Sequence, residues 1–314
     1  MNCKPTDSRI LITGGAGYLG RHLIKDLYDS NEITVYSRDE SKHYFLKKEF
    51  PKVNFVIGDV RDINRLNRAA KDHKLGIFAA SLKQIEACDV NYEEANQIIV
   101  NGAFNSKNVA IDNFFHAACF ISSDKSRAAS TIYGSMKFTA GESFISNDLS
   151  VTTRLSTAIY GNIMNSTGSI IPLIWDSIVK NRTLELYHPE MTRFLFTVET
   201  AIKLIYASLQ VMNVNTIPVA KSFKILDLFE LFEPLGLKYT ITHPRPNEKI
   251  HEIMASQEEI PRMTFNPFLS IYMMHKNVQK GVTPFDMGEY SSKNTVITKN
   301  ELQQFLETNN YYRP

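Results

Sequence analysis

The apolar run RILIT at residues 9–13 breaks into the glycine turn GGAGYLG at 14–20, after which Leu19, Leu23, Ile24 and Leu27 recur on one helical face. A strand, a tight turn and an amphipathic helix in that order admit few folds. Glycines at 14, 17 and 20 let the backbone approach a pyrophosphate at the helix N-terminus, so the unit is expected to cradle a dinucleotide. Short apolar runs recur at 33–36, 55–57, 75–80, 115–122 and 151–155, mostly with helix-length segments between them. That alternation spells an α/β chain with a Rossmann-like doubly wound parallel sheet. Beyond about residue 160 it gives way to Pro-punctuated pieces, and a smaller C-terminal substrate-binding lobe is expected there. The expected division is 1–160 for the nucleotide-binding domain and 161–314 for the lobe, with some segments returning to the core. Residues 222–235 read as one more strand and helix, and 294–305 as a last surface helix.

Composition removes several function classes. The 35 Lys and Arg against 33 Asp and Glu leave a net charge of +2, and the basic residues are scattered, so no footprint for nucleic acid or anionic lipid exists. Neither a nucleic-acid nor a membrane partner is expected. Cys3, Cys88 and Cys119 are odd in number and form no CxxC pair, which fits a reducing compartment without structural disulfides. With no apolar leader and no span-length apolar run, a cytoplasmic location is expected. His251-Glu252 is not followed by a second His one turn on, so no metal site is expected.

The second strand ends in YSRDE at 36–40, about twenty residues past the turn, where an arginine would accept a 2′-phosphate and an acid would bond a ribose 2′-hydroxyl. Ser37 and Arg38 lean toward NADP, with Asp39 keeping NAD as the alternative. Asp59 and Val60, at the end of the third strand, are placed to touch the adenine.

The stretch FISSDKSRAASTIYGSMK at 120–137 ends one strand and starts one helix. Tyr133, Met136, Lys137, Ala140 and Phe144 make a single stripe, so Tyr133 and Lys137 share a face. A cation beside a phenol lowers its pKa, which would make Tyr133 a base for removing a hydroxyl proton. Alcohol oxidation leaves Asp124 and Lys125 without a role. If oxidation makes a ketone at a sugar C4, the C5 proton becomes acidic; an amine could remove it while a carboxylic acid protonates the departing C6 hydroxyl. The hydride stored on the nicotinamide then returns to C6, and no net redox change results.

With these motifs the chain resembles the extended short-chain dehydrogenase/reductase family, most closely its inverting UDP-N-acetylglucosamine 4,6-dehydratases. GGAGYLG, VYSRDE, GDVRD, AASLK, SSDK with YGSMK, MTRF, RPNEKIHE and EYSS carry the likeness over nearly the full length. The resemblance implies that Lys125 takes the C5 proton, Asp124 is the acid for water loss, Tyr133 is the C4 base, and Lys137 tunes it while binding the nicotinamide ribose. It implies cofactor contacts from Gly14, Gly17, Tyr18, Leu19, Gly20, Ala79, Lys83 and Ser122. For the substrate UDP-GlcNAc it implies Lys83, Lys125, Asn162, Arg193, Arg245 and Glu248. Asp-Lys in place of the Asp-Glu of retaining relatives implies reprotonation of C5 on the opposite face. The product would be UDP-2-acetamido-2,6-dideoxy-L-arabino-hexos-4-ulose, for rare amino-sugar and glycan biosynthesis, and the family's habit implies a homo-oligomer, at least a dimer. A nucleotide-sugar 4-epimerase or ketoreductase would need the same cradle and YxxxK pair without Asp124 and Lys125, and a non-catalytic NADP-sensing protein would need only the cradle.

Overall fold

The computed structural model describes residues 3–146, 151–244, 247–278 and 288–312. The first unit forms as its pattern dictates. In β1 (Ser8–Thr13) Ile10, Leu11 and Ile12 are fully buried, and α1 (Tyr18–Leu27) buries Gly20, Leu23, Ile24 and Leu27 on one face. Each fully buried large aliphatic side chain stabilises the fold by roughly 1.5–3 kcal/mol. The alternation continues through β2 (Asn31–Ser37), α2 (Glu40–Glu49), β3 (Asn54–Ile57), α3 (Ile63–Ala70) and β4 (Leu75–Phe78). Asp39 and Asp62 start α2 and α3 by accepting the backbone N–H of Lys42 and Arg65. Next come α4 (Ile85–Val90), α5 (Tyr92–Asn96), a π-helical turn at Gln97–Asn101, α6 (Gly102–Asp112), β5 (Ala117–Ile121), α7 (Ile132–Ile145) and β6 (Arg154–Ala158).

The later part of the chain holds α8 (Ile170–Val179), β7 (Thr183–Leu186), β8 (Thr192–Phe194), α9 (Val198–Ser208), β9 (Val214–Pro218), β10 (Ser222–Lys224) and α10 (Ile225–Phe232). It ends with β11 (Lys238–Ile241), β12 (Ile253–Ala255), β13 (Met263–Asn266), β14 (Ile271–Met274), β15 (Tyr290–Ser291) and α11 (Lys299–Thr308). The main sheet runs β13-β14-β9-β6-β5-β4-β1-β2-β3. From β3 through β9 neighbouring strands are parallel, and β14 and β13 close that edge antiparallel. This is the doubly wound Rossmann-like α/β fold, and strand order reverses direction between β1 and β4, where a crevice opens at the carboxyl ends of the strands. Side chains alternate across β1: Ile10 and Ile12 enter one hydrophobic cluster with α1 and α9, while Leu11 enters another with Phe78, Phe120 and Phe144. A third cluster gathers Ile174, Phe229, Phe232, Leu302 and Leu306 around α8, α10 and α11. Among the described residues no helix is long and apolar enough to cross a membrane.

Two boundaries differ from expectation. The strand expected at 151–155 lies at Arg154–Ala158, because Ser156 and Thr157 are fully buried core residues; their polar atoms hid the strand from an apolar-run criterion, though the Thr157 hydroxyl donates to the Gly141 carbonyl at 3.2 Å. The last helix starts at Lys299, later than the expected 294, because Thr298 and Glu301 form a reciprocal capping box.

Candidate active site

A cleft of about 1670 Å³ opens at the reversal point. At one end lies the glycine turn. Gly14 has φ +68°, and a Cβ there would sit 2.8 Å from the Ala80 nitrogen; a Cβ on Gly20 would sit 2.3 Å from the Gly15 oxygen. These positions admit only glycine, and α1 begins without a side-chain cap, so its first N–H groups point toward the turn with no side chain competing for them. Gly14, Gly17, Tyr18, Leu19 and Gly20 line the cleft together with Ala79, Lys83 and Ser122. The cradle therefore fits a dinucleotide pyrophosphate.

The residues expected around the adenosine sit at the ends of β2 and β3. The Ser37 hydroxyl bonds His43 Nε2 at 2.6 Å. Arg38 is largely exposed, with Nη1 3.7 Å from Asp59 Oδ2. Arg61 clasps Asp59 at 2.6 Å and Glu94 at 2.8 Å. Asp39, the residue that kept NAD open, spends its carboxylate on the Lys42 N–H as the cap of α2 and on the Lys42 amine at 3.0 Å. Val60 is buried against the core cluster of α6, not presented to the cleft.

The residues expected to react stand at the carboxyl end of β5. The chain leaves that strand through Ser122 and Ser123 and makes a 3₁₀ turn at Asp124–Ser126. Asp124 is buried, its backbone N–H donating to the Tyr160 carbonyl at 3.1 Å. The Lys125 amine is 3.4 Å from both Asp124 oxygens and 2.6 Å from Glu252 Oε1. Glu252 is 1% exposed and also lies 3.4 Å from Arg193 Nε. Burial pulls the Lys125 pKa down, but the Asp124 and Glu252 carboxylates outweigh it and leave the pKa above its ordinary value. Burial raises Asp124, and Glu252 adds to this beyond what Lys125 offsets. For Glu252 burial also raises, but Lys125 and Arg193 win and hold it below the usual range. The two carboxylates are thus driven apart, Asp124 toward the acid form and Glu252 toward the anion.

Tyr133 and Lys137 share the buried face of α7 as their spacing requires. The expected lowering of the phenol by Lys137 is not what this geometry produces. The Lys137 amine donates to the Ile121 carbonyl at 2.9 Å and lies 4.9 Å from the centre of the Phe120 ring. Burial pushes the phenol pKa up, Asp124 and Cys88 push it further, and a hydrogen bond from Ser123 offsets only part. Burial lowers the Lys137 pKa itself to about 7.

Lys83, Asn162, Arg193 and Glu248 all line the same cleft. The Lys83 amine crosses to the Thr167 carbonyl at 2.7 Å. Arg193 is tied to Glu248 at 2.6 Å and donates to the Thr192 and Ile250 carbonyls at 2.7 and 3.2 Å. Arg245 lies outside the described residues. Two residues passed over in the sequence belong here: Ser123, whose hydroxyl donates to Asp124 Oδ1 at 2.8 Å, and Glu252. The first was legible as the neighbour of Asp124. The second was legible only as a glutamate in the RPNEKIHE motif.

Residues 10–274 match the family described as polysaccharide biosynthesis protein. The chain belongs to that family. It is 30% identical to a UDP-N-acetylglucosamine 4,6-dehydratase (inverting) of Campylobacter jejuni over 96% of this chain and 97% of the relative. A UDP-glucose 4-epimerase of Rickettsia bellii is 32% identical over 82% of this chain and 80% of its own. A protein of Methanocaldococcus jannaschii labelled an uncharacterized membrane protein is 33% identical over 81% and 82%. Among solved structures, Pen from Bacillus thuringiensis matches with a TM-score of 0.88 at 24% identity, over 98% of this chain and 99% of that one; that likeness speaks to the fold.

Proposed function

We propose that this family member is an NADP-dependent enzyme of the nucleotide-sugar dehydratase/epimerase type, and that its reaction is the inverting 4,6-dehydration of UDP-N-acetylglucosamine. The observation that carries the reading is that Lys125 and Tyr133 line one cleft with the glycine cradle, while buried Asp124 pairs with the Lys125 amine from behind that lining. A nicotinamide bound there supplies reversible hydride storage. Tyr133 receives the C4 hydroxyl proton; its phenol is held protonated by burial and by Asp124, so that step needs extra positive charge, which Lys137 on the next turn carries only while protonated, its pKa lying at about 7. Lys125 removes the C5 hydrogen. Asp124, kept toward its acid form, protonates the C6 oxygen as water leaves. Lys83 and Asn162 read as sugar or cofactor contacts across the cleft. Arg193 and Glu248, with Arg245, read as the nucleotide-diphosphate side, where a guanidinium suits phosphate geometry. The occupation of Asp39 by Lys42 supports NADP over NAD, since its carboxylate already has two partners.

A 4-epimerase reading is favoured by the Rickettsia bellii relative, and it uses the same cradle and Tyr133 but has no use for an acid–amine pair at C5. Incubation with UDP-N-acetylglucosamine and NADP in deuterated water separates the two by NMR. The expected product is a 4-keto-6-deoxy sugar of inverted C5 configuration carrying deuterium at C5. Recovery of only C4-epimerised sugar with hydrogen retained at C5 would replace this reading with the epimerase.

A further inference from the structure

Lys125 can take a proton from carbon only as a free amine, yet the structure surrounds it with negative charge. Asp124 approaches from its own 3₁₀ turn and Glu252 from the segment leading into β12. The other charged or titratable groups facing this pair are Arg193 from β8, Lys249 from the RPNEKIHE segment and, beyond Asp124, the Tyr133 phenol on α7. Of the two carboxylates, Glu252 makes the short contact, 2.6 Å from Oε1 to the amine against 3.4 Å for Asp124. Its backbone is fixed, the N–H donating to the Ser292 hydroxyl at 2.9 Å. Its second oxygen, Oε2, is buried and has no hydrogen-bond partner among the described residues. Glu252 does not line the cleft, whereas Lys125 does. It therefore meets the substrate space through that amine and through Arg193, which also lines the cleft, rather than directly.

We propose that Glu252 is the positioning residue that accepts the Lys125 proton, passing the amine to C5 in its neutral form. One proton moves along the Lys125–Glu252 hydrogen bond, the ammonium becomes an amine and the carboxylate an acid; the amine then takes the C5 proton as the C5–H electron pair becomes the enolate, C5 later takes a solvent proton on its other face, and the pair returns its extra proton to solvent. Asp124 stays free to serve the C6 oxygen, so the two carboxylates divide the acid and acceptor roles. The inference rests on the dehydratase reading.

The test isolates the C5 step. UDP-N-acetylglucosamine deuterated at C5 is supplied to the protein with NADP, and exchange of that deuterium with solvent hydrogen is followed by NMR across the neutral pH range. In the wild-type protein the internal acceptor makes exchange nearly independent of pH, because the pair carries one proton throughout that range. In Glu252→Gln the proton must go to solvent, so exchange falls by about 10²-fold near neutrality and climbs roughly tenfold per pH unit. Glu252→Asp is expected to restore part of the rate and the flat profile. NADP binding and thermal unfolding of both variants report that the fold is intact. A Glu252→Gln protein that exchanges within twofold of wild type, or loses the same factor at every pH, overturns the relay. Absence of C5 exchange in the wild-type protein overturns the dehydratase reading and the relay with it.

Discussion

The buried Lys137 amine carries a cost that the fold must meet elsewhere. Its pKa falls from 10.5 to about 7 because burial disfavours the charged form, and the amine has a backbone carbonyl and an aromatic face around it rather than a carboxylate. Between those two values the unfolded chain holds a proton that the folded chain does not, so stability rises with pH across the window; below about pH 7 both states are protonated and the full cost remains. Lys137→Met is expected to stabilise the protein at pH 7 by a few kcal/mol and to flatten the pH dependence between 7 and 10, on the order of the linkage for such a shift. Urea unfolding of both proteins at the two pH values checks this, and a pH-independent wild type would show that the amine stays charged inside. An amine buried at such a cost beside Tyr133 fits the proposed chemistry better than a packing role. Tyr133 and Lys137 were legible from spacing alone, since four residues is one helical turn. Their ionisation was not, because it depends on what surrounds the α7 face.

At the scale of the element, the β1–turn–α1 unit determines where a dinucleotide would lie. The Gly14 backbone has a left-handed φ of +68°, and its missing side chain leaves room for the Ala79–Ala80 backbone at the end of β4. Gly14→Ala adds a conformational penalty of roughly 1–2 kcal/mol and a backbone clash. It is expected to lower the thermal midpoint by several degrees and to weaken NADP binding, read by calorimetry and by fluorescence titration; unchanged affinity would place the dinucleotide elsewhere. Strand and helix types were readable in this part of the chain because apolar periodicity and glycine punctuation agree. Where they disagree the reading slipped, as in β6, whose buried Ser156 and Thr157 carry no apolar signal.

Across the whole molecule, one buried arginine ties the Asp124–Ser126 turn to distant chain. Arg127, fully buried, directly follows the Asp124–Ser126 turn and pairs with Glu259 at 2.7 Å and with Glu142 of α7 at 3.2 Å. Lys249 donates to its carbonyl at 2.6 Å. Arg127→Met leaves Glu259 with Arg262 at 3.4 Å and the Ser256 N–H, and Glu142 with Asn215, and is expected to cost about 3 kcal/mol in urea unfolding, the low end for breaking a buried pair, with activity falling further than stability accounts for if the turn carrying Lys125 shifts. A variant with wild-type stability would mean the carboxylates find other partners. The amino-acid order alone settled the nucleotide cradle, the alternating sheet and the adjacency of Asp124 to Lys125 and of Tyr133 to Lys137, because each depends on neighbours within one turn or one strand. Only tertiary structure decided that Glu252, 127 residues away from Lys125, would clasp that amine, and that Arg193 would be tied to glutamates. Those contacts follow from how the late segments pack over the carboxyl end of the sheet, and no local period encodes that geometry.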